Sequence, residues 1–159
     1  MAGPDAVDVL LRPAPDERAR PGRAFLGDDE LLLAPARHGP VIRSLAGATS
    51  GLLGGLPEAL GLYDPHAISR TEAVHDPDTL RIRYGDLVGL APFARPTGFS
   101  LHLRVDGRRE DVRLAFRSGD ERAEAVSLAR ALRERARDAG GDPGVFDPGG
   151  RTRVLPLDG

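Results

Sequence analysis

Between residues 80 and 140 the spacing of apolar positions changes from two residues to a helical repeat. Phe99, Leu101, Leu103 and Val105 alternate with Ser100, His102 and Arg104. After Asp106-Gly107, Val112, Leu114 and Phe116 alternate with Asp111, Arg113, Ala115 and Arg117. Alternation of this kind belongs to strands with one buried and one wet face. Asp-Gly between two such runs favours a two-residue type I′ turn, in which both central residues take positive φ. That register sets Val105 opposite Arg108, Leu101 opposite Val112 and Phe99 opposite Leu114. It gathers the large apolar residues on one face, and a one-residue slip would move half of them into water. The helix comes next. Ser118 with Glu121 three residues later reads as a capping box. Ala125, Leu128, Ala129, Leu132 and Ala136 recur at helical spacing, with arginine and glutamate on the other side. Gly140-Gly141 and Pro143 supply the stop.

Upstream the signals are shorter. Leu80, Ile82 and Tyr84 alternate with Arg81 and Arg83; Gly85-Asp86 breaks the run, and Leu87 to Leu90 resumes it. This predicts a strand, a corner and a second strand. Asp28 to Ala34, with Leu31, Leu32 and Leu33 in succession, reads as a core strand ended by Pro35 and by Gly39-Pro40. His66 to Val74 reads as a weak strand and His75 to Asp78 as a turn. Residues 1–22, rich in Pro, Arg and acid after Val7 to Leu11, read as a flexible N-terminal arm with one short strand. Residues 141–159 read as a disordered Gly/Pro-rich tail, with a docked strand at Val154, Leu155 and Leu157 as the alternative. Residues 44–62 stand apart. Leucines recur there at near-helical spacing, but five glycines from Gly47 to Gly61 oppose a stable helix.

An acidic start, an apolar strand, further strands, the segment Ile82-Arg-Tyr-Gly-Asp-Leu-Val-Gly, a hairpin ending on an aromatic residue and one terminal helix resemble the bacterial pleckstrin-homology-like domains. The resemblance implies an α+β fold over residues 23–140, a half-open barrel of two antiparallel sheets closed by the C-terminal amphipathic helix. Residues 44–62 depart from the family's pattern and stand as an apolar insertion. The resemblance further implies a non-catalytic binding or adaptor role, with protein–protein contacts and self-association among its forms. Phosphoinositide binding does not carry over, because the first strands and their loop offer only Arg37, His38 and Arg43.

Composition narrows the chemistry. The chain has 159 residues and a formal net charge of −2, which suits one domain with no bulk attraction to nucleic acid or anionic membrane. Cysteine is absent, which removes disulfides, zinc thiolates and thiol nucleophiles. Every basic side chain other than histidine is an arginine, so there is no P-loop lysine and no Schiff-base site. No signal peptide or membrane span is legible, so the expected location is the cytoplasm. Two Tyr, five Phe and no Trp offer little base-stacking surface, and no nucleic-acid partner is expected.

Two groups of residues are candidate sites. Arg81, Arg83, Arg104, Arg108, Arg113 and Arg117 fall on outward strand positions or at the hairpin tip. They form a basic face for an anion or acidic partner if their strands are neighbours, and an ordinary solvated face otherwise. Leu52, Leu53, Leu56, Leu60 and Leu62 form either an interface or a cover for the open end of the sheet. Together, the arginine face and this loop offer a second function, peripheral binding to anionic lipid. A third is a small metal-dependent hydrolase using Asp64, His66, His75 and Asp76, although that spacing matches no ligand motif. Gly47-Ala-Thr-Ser-Gly places a threonine where a nucleophile elbow needs serine. The chain is therefore expected to be no enzyme and to need neither metal nor cofactor.

Overall fold

Burial alternates along β9 and runs unbroken through the middle of β3, so some strands have one covered face and others two. The computed structural model describes residues 5–38, 63–64, 68–96, 98–116, 120–149 and 153–157. Its elements are β1 (Ala6–Arg12), β2 (Arg20–Leu26), β3 (Glu30–Pro35), β4 (Arg37–His38), β5 (Tyr63–Asp64), α1 (Arg70–His75), β6 (Leu80–Arg83), a 3-10 turn (Tyr84–Asp86), β7 (Leu87–Arg95), β8 (Gly98–Val105), β9 (Val112–Phe116), α2 (Glu121–Asp138), β10 (Gly144–Val145) and β11 (Arg153–Val154). One sheet holds nine strands, with the path β10-β7-β8-β9-β1-β2-β3-β6 and β11 also paired to β7; β4 and β5 pair separately. All pairings within it are antiparallel except β10 with β7. The fold is thus α+β, with one main helix on a largely antiparallel sheet that is not closed into a barrel, rather than two separate sheets. β6 and β7 lie far apart in the strand order, yet only the three residues of the 3-10 turn connect them.

Inward residues from every long strand meet in one core. Val9 and Leu11, Leu31 and Leu33, Leu101 and Leu103, and Val112 and Leu114 are all buried there against Ala125, Leu128, Leu132 and Ala136 of α2. The helix stripe is the one expected from its spacing. Its start differs: Asp120 is the N-cap, and its side chain accepts from the Ala123 amide at 3.1 Å. Ser118 lies outside the described residues, and the Glu121 carboxylate instead accepts from the Phe99 amide. The stop is the expected one. Gly140 has φ +88°, and the amides of Gly140 and Gly141 donate to Arg137 and Ala136, which satisfies the last carbonyls of the helix.

Four expectations are corrected. Ala6–Arg12 is no part of a flexible arm: it sits between β9 and β2 in the middle of the sheet. Residues 70–75 form a helix, not a strand; Ser69 and Glu72 make a reciprocal capping box, and that local pairing decides against the weak alternation. The hairpin register is shifted by two residues: Leu101 faces Leu114 and Leu103 faces Val112. Arg108 donates to Val105 across Asp106-Gly107, but Gly107 alone has positive φ, so the turn is not type I′ and pairing resumes only at Val112. An even shift leaves every side chain on its expected face. The tail docks: Leu155 and Leu157 are buried, and β10 and β11 pair with β7. Residues 44–62 lie outside the described residues.

The position of β1 is testable. Removing residues 1–12 deletes buried Val9 and Leu11 and separates β9 from β2. Two such side chains stabilise by roughly 3–6 kcal/mol, against a typical total of about 5–15 kcal/mol. Urea unfolding of the truncated chain should lose its cooperative transition, whereas a dispensable arm would leave the midpoint unchanged.

Candidate functional site

The predicted arginines do not form one free basic face. Arg81 and Arg83 lie on β6, whereas Arg104 and Arg113 lie on β8 and β9, with β1, β2 and β3 between. From β9 to β6 is four strand spacings, a path of about 19 Å along the sheet. Three of these side chains are also engaged. Arg81 grips Glu30 across β3 and β6 with both Nε and Nη2. This pairing holds the Glu30 carboxyl below its ordinary range, chiefly through the hydrogen bond. Arg104 meets Asp111 at 3.2 Å and lies 4.0 Å over the Phe146 ring. Arg108 donates to the Pro13 carbonyl at 3.2 Å. Arg117, like Leu52, Leu53, Leu56, Leu60 and Leu62, lies outside the described residues. Of the metal reading, His66 lies outside them too, and among the described residues no three His, Asp or Glu side chains converge. No described helix is long and apolar enough to cross a membrane.

Three features remain. The first is a cleft of about 460 Å³ at one end of the sheet, where the β1–β2 turn, the turn before β6 and the β8–β9 hairpin meet. Leu11 and Leu80 form part of its wall. Arg20 and Arg108 line it together with Glu17 and Asp78, so its charge is mixed.

The second is a closed polar cluster on the outer face. Cross-strand pairing places Ala91, His102, Arg113 and Arg12 in one row and Phe93, Ser100, Ala115 and Leu10 in the next. Ser100 and His102 are buried, and the His102 ring meets Phe93 edge-on at 4.6 Å. Ser100 Oγ, His102 Nδ1 and Arg113 Nε have no hydrogen-bond partner among the described residues. Burial, reinforced by the Arg113 charge, pushes the His102 pKa down to about 4. The alternation put His102 on the wet face of its strand. Only the apolar outward residues of the neighbouring strand, Ala91 and Phe93, signal that this face is covered.

The third is the edge of β7. Two tail segments run along it: Phe146 donates to Leu90 O at 3.2 Å and Leu155 to Pro92 O at 2.7 Å. Gly89 makes room for the first, since a Cβ there would stand 2.8 Å from the Phe146 ring. Leu157 enters the core beneath α2, and Arg130 of α2 donates to its carbonyl at 2.9 Å. β7 and α2 therefore flank a groove that takes an extended chain. The alternation of Leu155 and Leu157 was the only sequence signal for it.

His102 predicts a pH dependence. An unfolded chain takes up the proton near pH 6.5, whereas the folded chain resists until about pH 4. Stability is therefore fully present above 6.5, declines as pH falls through that window and levels off below it. Arg113, Arg95 and Arg104 oppose the imidazolium and Asp111 favours it, so the net direction is the one stated. His102→Phe should flatten the fall of the urea midpoint between pH 6.5 and 4 relative to the parent chain. Parallel curves for the two proteins would contradict the assignment.

No family model matches the sequence, and no curated protein is significantly similar to it.

Proposed function

We propose that this chain is a non-catalytic binding or adaptor module of the pleckstrin-homology-like kind, acting through contacts with other polypeptides. The fold part of the proposal is supported by the strand path. β7, β8 and β9, then β1, β2 and β3, then β6 lie side by side with antiparallel pairing, and α2 packs on the inner face of that sheet. The three-residue link between β6 and β7 draws the two ends of that path together.

The observation that carries the function is the groove between β7 and α2. A sheet edge offers unpaired backbone groups, and an extended segment added there gains hydrogen bonds while alternate side chains find pockets. Here such a segment is already seated, with Leu155 and Leu157 buried. The non-catalytic part is supported by the state of the titratable groups. His102 is buried against the Phe93 ring, and the lining of the cleft contains no histidine. Anionic lipid gains less support, because Arg81 and Arg104 are each met by an acid and the cleft's charge is mixed.

Selection from a displayed random-peptide library should enrich sequences with apolar residues at alternate positions. Amide shifts on adding an enriched peptide should then cluster on β7 and α2. Shifts confined to β3 and β6, or salt-sensitive sedimentation with anionic vesicles and no peptide binding, would contradict the proposal.

A further inference from the structure

We propose that the β7–α2 groove is a docking site for an extended segment of another polypeptide carrying two apolar side chains two residues apart, and that this chain's own Arg153–Leu157 closes it as a displaceable strap. This rests on the binding-module reading and adds the ligand class and a regulatory state. The chemistry of the ligand is set by what the groove does to its present occupant. One apolar residue must present its amide to Pro92 O, as Leu155 does at 2.7 Å. The residue two positions later must bury its side chain against the core and present its carbonyl to Arg130, as Leu157 does at 2.9 Å. Between them Pro156 is exposed, so the middle side chain is unspecified.

The strap is built to be weak. Pro92 accepts on the edge side of β7, so its missing N–H removes the donor that would otherwise extend the ladder there. β11 accordingly pairs over only two residues, Arg153 with Ala94 and Val154 with Phe93. By contrast, β7 pairs with β8 from Leu87 to Arg95. Two leucines are gained against the entropy of ordering the tail, so closure is near balance. Tethering supplies the rest: a segment on the same chain acts at an effective concentration of about millimolar. A ligand from outside must compete with it, and its apparent affinity falls by the fraction of chains that are open.

The test uses the full chain. The probe is a fluorescent peptide with the sequence of residues 151–159, followed by anisotropy. The double variant Leu155→Asp, Leu157→Asp releases the strap without changing a residue of β7 or α2. It should bind the probe at least about tenfold more tightly than the parent chain. The same peptide with both leucines changed to aspartate should not bind. If parent and variant bind equally, the strap proposal is overturned while the groove stands. If neither binds, the groove reading falls and the strap proposal with it. Hydrogen exchange on the parent chain covers a variant that fails to fold. The Leu155 amide should exchange at least about tenfold faster than that of Leu132 in the middle of α2, and equal protection would overturn the proposal.

Discussion

One carbonyl holds the architecture together. Gly27 O, at the buried first residue of the turn between β2 and β3, accepts from the Tyr84 hydroxyl at 2.8 Å and from Arg135 Nη1 at 2.6 Å. Tyr84 belongs to the turn that carries the chain from β6 to β7, and Arg135 to the last turns of α2. The contact thus binds the β2–β3 turn, the corner between the distant strands and the helix. Tyr84 is buried, which raises its pKa despite the opposing Arg135 charge, so the phenol remains a donor. The Arg135 guanidinium also lies 5.7 Å from the centre of the Tyr84 ring. Burial of a polar carbonyl is tolerated only when it is hydrogen-bonded, and here two donors share that duty.

Once the corner is fixed, the two faces of the sheet have different fates. The inner face packs against α2 and forms the main core. On the outer face, Ile68 and Ala73, next to and within α1, cover Phe25 and Leu32. Farther along, Phe93, Ser100 and His102 are buried on the same side of β7 and β8. The sheet is therefore covered on both sides over much of its width, and the proposed recognition falls at its margins. These are the mixed-charge cleft at one end and the edge of β7. The tail docked there uses the same forces as the rest of the fold, a backbone pair and buried leucines, but over a shorter length.

What the sequence disclosed follows from which rules are local. The α2 stripe, its Gly140 stop and the inward faces of β8 and β9 were legible because period and parity are properties of neighbouring residues. Even the hairpin misregister kept those faces, since the shift was of two residues. β1 was misread because its role depends on Phe116 and Phe25, partners distant in the chain, and not on its own Pro-rich sequel. α1 was misread because six residues carry too little periodicity to outweigh the alternation of small side chains; its Ser69–Glu72 box was the informative pair. The arginine face was only partly legible for a related reason. Outward parity is visible in sequence, but Glu30 opposite Arg81 and Asp111 beside Arg104 are tertiary facts. The groove at β7 was half legible: Leu155 and Leu157 showed the spacing, but nothing local showed which edge would receive them.

The central claim is that the Tyr84 corner binds sheet and helix as one unit. A double-mutant cycle with Tyr84→Phe and Arg135→Ala, read by urea unfolding, tests it most directly. Each single change leaves Gly27 O one donor; only the double change strands it. The account predicts that the double variant loses about 1 kcal/mol or more beyond the sum of the single losses. Strict additivity would contradict it.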